Sequence, residues 1–276
     1  MDLHFSFLES CTELMQAVDL DGLDYDWEFP GWLQRASLAV LLRRTSAVLR
    51  NLNASRSEPV ELSVALPGPF TFAIGFSVNV ITRYCDFVNL MTYDLVLLNP
   101  LIPRAALHSP LYAQPSWIYA PFAVDFVVAF WLMLGLPRTM INLGIPTYGV
   151  AYALQNKCQT DLFSPIKGYS PMGANINYAT ICTVVGSEHR KARRDQTSGG
   201  PFVDDGNGTW ISYDDEYSIT QKVAFARSKG LGGIMIFSLN ADDHLGDCGR
   251  QRFPLTRMAV RSWLNKTLPA ATIAGN

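Results

Sequence analysis

The sequence predicts an α/β fold built on a parallel sheet, and three observations carry that expectation. Short apolar runs at residues 60–66, 87–92, 141–145 and 233–238 have the length and continuous hydrophobicity of strands buried on both faces. These runs alternate with helical stretches, the pattern that parallel crossovers produce. A further strand-like segment at residues 21–30, DGLDYDWEFP, interleaves carboxylates with aromatic residues at period two.

In chain order, residues 1–18 read as a helix with Phe7, Leu8, Leu14, Met15 and Val18 on its apolar face. In residues 21–30 the alternation of a strand puts Asp24, Asp26 and Glu28 on one face and Leu23, Tyr25 and Trp27 on the other. Successive carboxylates on that face stand roughly 6 to 7 Å apart. Like charges that close in a partly dry site cannot all stay ionised, so at least one pKa rises. A carboxyl kept neutral beside an ionised neighbour is how glycosidases arrange acid catalysis. The bland alternative, a solvated acidic loop, does not account for Tyr25, Trp27 and Phe29 between the acids. Residues 33–52 form a second helix that ends in the polar loop RNLNASRSEPV. Residues 117–136, WIYAPFAVDFVVAFWLMLGL, approach the length of a membrane span but contain Pro121 and Asp125. Within them Phe126, Phe130 and Met133 stand about one helical turn apart, an apolar stripe of the kind that marks a partner surface or an aggregation liability. Residues 152–215 break the strand–helix rhythm and are rich in Gly, Ser, Asn and Asp.

Asp21, Asp24, Asp26 and Glu28 together fit the pattern D-x-x-D-x-D-x-E. It is followed by SVALPG at 63–68, DFVNLMTYD at 86–94, INLGIPTYG at 141–149, WISYDDEYS at 210–218 and GLGGIMIFSLNADD at 230–243. In this order the motifs resemble the family 18 glycoside hydrolases, the chitinases and chitinase-like lectins, over nearly the whole chain to about Leu264. The resemblance implies a (β/α)8 TIM-type barrel, N-terminally truncated so that strands four to eight are present. It implies an α+β insertion, residues 152–215, between the last two strands. The partial barrel then takes residues 1–151 and 216–268, with an unstructured tail at 269–276. On the same grounds residues 117–136 are a barrel helix, not a membrane span, and Cys182 pairs with Cys248. A barrel closes by pairing all its strands, so a five-strand remnant would keep two unpaired edges.

The resemblance also assigns roles. Glu28 is the general acid. Asp26 orients the substrate's acetamide and shares a proton with Asp24, so the pair titrates as a unit. Met91, Tyr93 and Asp94 are set on one face of their strand, with Tyr93 on the acetamide carbonyl and Asp94 on the same sugar. Tyr148 contacts the sugar, and Asp21 and Phe237 complete the binding set. Three positions depart from the family pattern: Phe237 replaces a tryptophan under the cleaved sugar, Val150 an arginine, and Asn240 an aspartate. The expected partner is chitin or a chito-oligosaccharide, cleaved with assistance from its own acetamide. The rival expectation is a lectin that binds without cleaving. Retention of Glu28 favours the hydrolase, while Phe237, Val150 and the missing strands favour weak or absent activity.

Composition narrows the rest. The chain has 276 residues, 49% hydrophobic and 17% charged, with a net charge of −2, which gives no overall attraction to nucleic acid. The basic run HRKARR at 189–194 reads as a solvated loop in preference to a targeting or heparin-type patch. The four histidines have no metal-ligand spacing, and HExxH, paired CxxC and phosphate-loop patterns are absent, so no metal or cofactor is expected. His244 reads as a surface or packing residue. Five cysteines are an odd set whose spacing pairs none of them. Sequons at Asn53, Asn207 and Asn265 fit a secreted protein, whereas MDLHFSFLESCTELM is not a signal peptide. The expectation is an extracellular full-length protein whose export signal is not in this chain.

Overall fold

The computed structural model describes residues 3–53, 58–98, 101–116, 118–186, 192–249 and 251–264. Its first half contains α1 (Leu3–Ala17), β1 (Gly22–Tyr25), α2 (Arg35–Asn53), β2 (Glu61–Pro67), α3 (Val78–Tyr84), β3 (Phe87–Met91), α4 (Val124–Met133) and β4 (Ile141–Pro146). A second region follows with β5 (Tyr148–Leu154), β6 (Ile166–Tyr169), β7 (Asn175–Asn177), α5 (Tyr178–Val185), β8 (Arg193–Arg194), β9 (Pro201–Asp204) and β10 (Thr209–Ser212). The chain then returns through α6 (Glu216–Ser228), β11 (Gly233–Phe237) and α7 (Pro254–Leu264).

Five strands form one sheet in the order β1-β2-β3-β4-β11, with every neighbouring pair parallel. Period-two alternation divides its two faces cleanly. Leu62, Val64 and Leu66 of β2, Val88 and Leu90 of β3, and Ile141 and Leu143 of β4 join one apolar core with Leu38, Leu42 and Leu49 of α2 and Val124, Val127 and Trp131 of α4. The intervening residues Asp24, Ser63, Asn89 and Asn142 form a polar layer on the opposite face. The polar residues that interrupt otherwise apolar strands therefore lie at positions that avoid the helix-side core. Among the described residues β1 pairs only with β2, and β11 only with β4.

Several elements differ from the sequence expectation. The strand within 21–30 is only four residues long, and Asp26, Trp27 and Glu28 follow it as irregular chain. Leu23 and Tyr25 pack toward the helices as expected, but Trp27 is exposed. Helix α1 buries Leu8 and Met15 while Phe7, Leu14 and Val18 stay exposed, because the helix packs on α2 along one side. Helix α4 begins at Val124 and not near 117: Pro121 disfavours helical geometry in the residue before it, and Ala123 is extended. Trp117 itself lies outside the described residues. On α4, Phe126 and Met133 are exposed, whereas Phe130 is half-buried against Phe70 and Trp131, so the apolar stripe is interrupted. No helix among the described residues is long and apolar enough to cross a membrane.

The second sheet has the order β6-β5-β10-β9-β8, with β7 also paired to β5, and all of its pairings are antiparallel. The end of the basic run is structural and not a solvated loop: Arg193 pairs with Asp161 and Asp204, and Arg194 with Asp215. His189, Arg190 and Lys191 lie outside the described residues, as do Asn265 and the tail at 269–276. The sequon residue Asn207 is exposed in the β9–β10 turn. Cys182 of α5 is disulfide-bonded to Cys248, which ties this region to the loop after β11. The Asp243 carboxylate reinforces that loop by accepting from the backbone N–H groups of Gly246, Asp247 and Cys248. Its neighbour Asp242 accepts from the N–H and hydroxyl of Thr256 at the start of α7. His244 is exposed beside them.

One ion pair is fully enclosed. Lys222 of α6 donates from Nζ to Asp214 (2.5 Å) and to the Ser109 hydroxyl (2.6 Å), and both charged side chains are almost wholly buried. Burial pushes the lysine pKa down and Asp214 opposes that shift. Ser218 adds a donor to Asp214, while the Ser109 hydroxyl donates a hydrogen bond to the Thr92 carbonyl. Replacing one partner would leave the other charge stranded in an apolar interior. Lys222→Ala should therefore cost about 3–5 kcal/mol in urea unfolding. A loss below about 1 kcal/mol would mean that Asp214 regains solvent or another donor.

Candidate active site

Parallel pairing puts the C-terminal ends of all five strands at the same end of the sheet, and the predicted site residues follow those ends. Asp26 and Glu28 come after β1, Tyr93 and Asp94 after β3, Tyr148 after β4, and Phe237 ends β11. Asp21 precedes the first residue of β1, at the opposite end of that strand, so the structure does not bring it to this mouth. Its backbone carbonyl instead accepts from Glu61 N.

Asp24 is the floor of the site. One of its oxygens accepts from Ser63 Oγ (2.5 Å), directly across the β1–β2 register, and from Asn89 Nδ2 (3.0 Å). Asn89 is linked in turn to Asn142 Nδ2 (3.3 Å). A polar chain thus crosses four strands beneath the mouth. At its far end, a Cβ on Gly233 would stand 2.4 Å from Asn142 Oδ1, so a side chain there would displace the asparagine.

Asp26 and Glu28 carry raised pKa values. Burial is the first cause for each, followed by Asp24 for Asp26, and by Asp26 and then Asp94 for Glu28. Both side chains still reach solvent at the sheet edge, so they are less desolvated than carboxyls in a closed cleft. Asp94 moves the other way. Burial works against its charge, yet His108, through its hydrogen bond and electrostatic attraction, and the Tyr148 hydroxyl hold its pKa below the usual carboxylate value.

Strand β3 ends at Met91, and alternation would in any case put the adjacent Tyr93 and Asp94 on opposite faces, so strand geometry does not supply the shared face expected for Met91, Tyr93 and Asp94. Asp94 adopts φ +52°, a left-handed conformation that reorients the chain. Met91, Tyr93 and Tyr148 are buried in one cluster. Tyr93 stacks on Phe237 at 5.3 Å and meets Tyr148 edge-on at 6.1 Å. A Cβ on Gly144 would come within 2.9 Å of the Tyr93 ring, so glycine there makes room for it. Burial, followed by neighbouring carboxylates, raises both tyrosine pKa values, which keeps the phenols protonated as donors. Phe237 is 47% exposed, leaving much of its ring open to the mouth. Val150 is buried, and Asn240 accepts from the Ser238 hydroxyl.

Sequence reasoning did not single out Ser63, Asn89 and Asn142, although each is a lone polar residue within an apolar run. It also missed His108 and Ser109, which come from a chain segment outside the strands. Among the described residues no group of acids, histidines and cysteines is arranged to hold a metal ion.

Residues 4–242 match the family model described as Glycosyl hydrolases family 18. Mouse (Mus musculus) Chitotriosidase-1 is 32% identical over 97% of this chain, and the chain spans 59% of that relative's length. The structure of an immunomodulatory active chitinase from Trichuris suis superposes with a TM-score of 0.86 at 26% identity, covering 93% of this chain and 72% of that one. Human YKL-39, described as a pseudo-chitinase with retained chitooligosaccharide binding, gives a TM-score of 0.87 at 24% identity, with 94% and 73% covered, a likeness of fold. The parallel sheet and its mouth are thus of the TIM-type chitinase fold, and the chain belongs to glycosyl hydrolase family 18.

Proposed function

We propose that this chain contributes the acid-bearing side of a chitinase-type site that hydrolyses β-1,4-linked N-acetylglucosamine polymers with retention of configuration. The observation that carries this reading is the gathering of Asp26, Glu28, Tyr93, Asp94, Tyr148 and Phe237 at the C-terminal ends of the parallel strands, where burial and neighbouring carboxylates push the Glu28 pKa up while His108 and Tyr148 hold that of Asp94 down despite its burial. Environments that drive two acids apart in this way distinguish an acid from a charge-stabilising group. In this reading Glu28 gives its proton to the glycosidic oxygen. The 2-acetamido oxygen of the substrate attacks its own anomeric carbon, forming an oxazolinium ion and releasing the leaving sugar. Asp26, sharing a proton with Asp24, orients the acetamide nitrogen and balances the positive charge. Tyr93 and Asp94 bind the same sugar, with Tyr148 beside them and Phe237 beneath it. Water then opens the oxazolinium ion and gives its proton to Glu28. The Cys182–Cys248 bridge supports an extracellular location for the protein that carries this site.

A lectin-type reading is the alternative, and Phe237 favours it. A phenyl ring offers a sugar less area than an indole, and binding alone does not require the raised pKa of Glu28. The fold does not separate the two readings, since one structural neighbour is a pseudo-chitinase.

Glu28→Gln separates them: it should lower chitobioside hydrolysis by about 10²- to 10⁴-fold and preserve oligosaccharide binding. Wild-type binding without measurable hydrolysis would decide for the lectin, and an active Glu28→Gln protein would remove Glu28 as the acid.

Substrate assistance has its own signature. A thiazoline mimic of the oxazolinium ion should inhibit competitively, and substrates lacking the acetyl group on the cleaved sugar should not turn over. Equal rates on acetylated and deacetylated substrates would require a nucleophile from the protein.

The pKa shifts fix the sign of the pH dependence. Activity should fall on the alkaline side as Glu28 loses the proton it must donate, at a pH above the ordinary glutamate value. On the acid side it should begin to fall as Asp26, whose pKa is raised, takes up a proton, and Asp94 becomes neutral only below the ordinary aspartate value. A kcat/KM profile whose alkaline limb is unmoved in Asp94→Asn would show that Asp94 does not sustain the Glu28 proton.

A further inference from the structure

His108 has no part in the reaction described above, yet it is built into the site. Its side chain is 1% exposed, and its Nδ1 lies 3.4 Å from Asp94 Oδ1. That separation is longer than an ordinary hydrogen bond, as contacts in ligand-free sites often are before substrate tightens them. The imidazole Nε2 is buried with no partner among the described residues. A proton on Nε2 would be a buried donor without an acceptor, whereas a proton on Nδ1 has the Asp94 carboxylate before it, so the network assigns the Nδ1–H tautomer.

The surrounding chain holds the imidazole in place. Leu95 N donates to the His108 carbonyl (2.8 Å), and Ser109 Oγ donates to the Thr92 carbonyl (2.6 Å). The 108–109 segment is therefore clamped to the residues on both sides of Asp94. Gln114 fixes Leu107 through both its N–H and its carbonyl, and His108 N donates to Ser212 Oγ. Ser212 is the register partner of Val150, the position at which the sequence lacks an expected donor. The titratable groups around the pair are Tyr148 and Tyr152 on β5, Tyr93 beside Asp94, Glu28 across the mouth, and the Lys222–Asp214 pair reached through Ser109.

We propose that His108 is a positioning residue whose Nδ1–H holds Asp94 as an oriented, sugar-facing acceptor. The sugar-facing part of this inference rests on the proposed function; the His108–Asp94 coupling does not. Substitutions can separate a donor role from simple space-filling. Asparagine carries its amide nitrogen on Cγ, where Nδ1 sits, while glutamine carries its own one carbon further out, where Nε2 sits. Leucine fills part of the ring's volume without a donor.

The test titrates Asp94 by carboxyl ¹³C NMR in ligand-free protein, with the signal assigned from Asp94→Asn, for the wild type and for His108→Asn, His108→Gln and His108→Leu. Chitotetraose binding is measured by calorimetry on the same proteins. His108→Leu and His108→Gln should raise the Asp94 midpoint by about one pH unit and weaken chitotetraose binding by about tenfold near the new midpoint, with His108→Asn close to wild type in both. Equal behaviour of the asparagine and glutamine variants, in either direction, overturns the proposal, and this comparison stands even if the leucine variant fails to fold. A wild type that does not bind chitotetraose would refute the sugar-facing role and the functional reading behind it. The Asp94 titration would still decide whether His108 controls that carboxylate.

Discussion

Parallel pairing of β1 through β4 and β11 is the constraint on which the rest of this structure depends. Because neighbouring strands run the same way, their ends coincide, and residues as distant in sequence as Asp26, Asp94, Tyr148 and Phe237 emerge at one mouth. The same pairing forces each strand to meet two environments at period two. One face supplies Leu, Val and Ile to the helices, and removing that area from water is the main favourable term for an α/β layer. The other face can then hold Asp24, Ser63, Asn89 and Asn142, because these polar groups satisfy one another from strand to strand. A one-residue slip of β2 or β3 would exchange the two sets, burying polar groups under the helices and turning leucines toward the site.

On that scaffold the chemistry reduces to keeping nearby acids in different protonation states. Asp24 receives two donors, one from β2 and one from β3, on a single oxygen. Partial burial and then Asp24 raise the Asp26 pKa, and burial, Asp26 and then Asp94 raise that of Glu28. The sequence of effects works only if Asp94 stays ionised despite its burial, which makes its two donors, His108 and Tyr148, as important as the acids themselves. Behind them the Lys222–Asp214 pair is joined through Ser109 to the Thr92 carbonyl, so a buried charge pair braces the turn on which Asp94 sits.

Much of this arrangement was legible in the sequence, and the failures have physical reasons. The strands were legible because strands buried on both faces read as near-continuous apolar runs, and the acids because carboxylates at period two are hard to explain otherwise. Boundaries were less so. The segment at 21–30 has the alternation of a long strand, but only Gly22–Tyr25 finds a partner in β2, and alternation carries no information about where pairing ends. The 117–136 run was too uniformly apolar to reveal its start, which Pro121 and the extended Ala123 set at Val124. His108 could not be found by spacing, because its partner, fourteen residues earlier, is reached across a loop and not along a helix or strand. Asp21 matched a motif by sequence spacing while standing at the wrong end of its strand to share the mouth.

The edges of the sheet bear directly on the acid. β1 leads directly into Asp26 and Glu28 and, like β11, has one side unpaired among the described residues, and Asp26 and Glu28 face water more than Asp94 or Tyr148 do. Burial is the first cause of the raised Glu28 pKa, and it is the cause most sensitive to what lies against β1. Pairing a further strand with that edge would satisfy its free backbone groups and displace water from the carboxylates. Drying the site would strengthen the repulsion among Asp26, Asp94 and Glu28, because the same charges interact more strongly at lower effective dielectric. Both effects favour the neutral form of Glu28, whereas Asp94 keeps its donors from the segment after β3 and from the start of β5. Sheet completion and acid strength are therefore coupled through β1, and the separation between acid and ionised partner widens as that edge is covered.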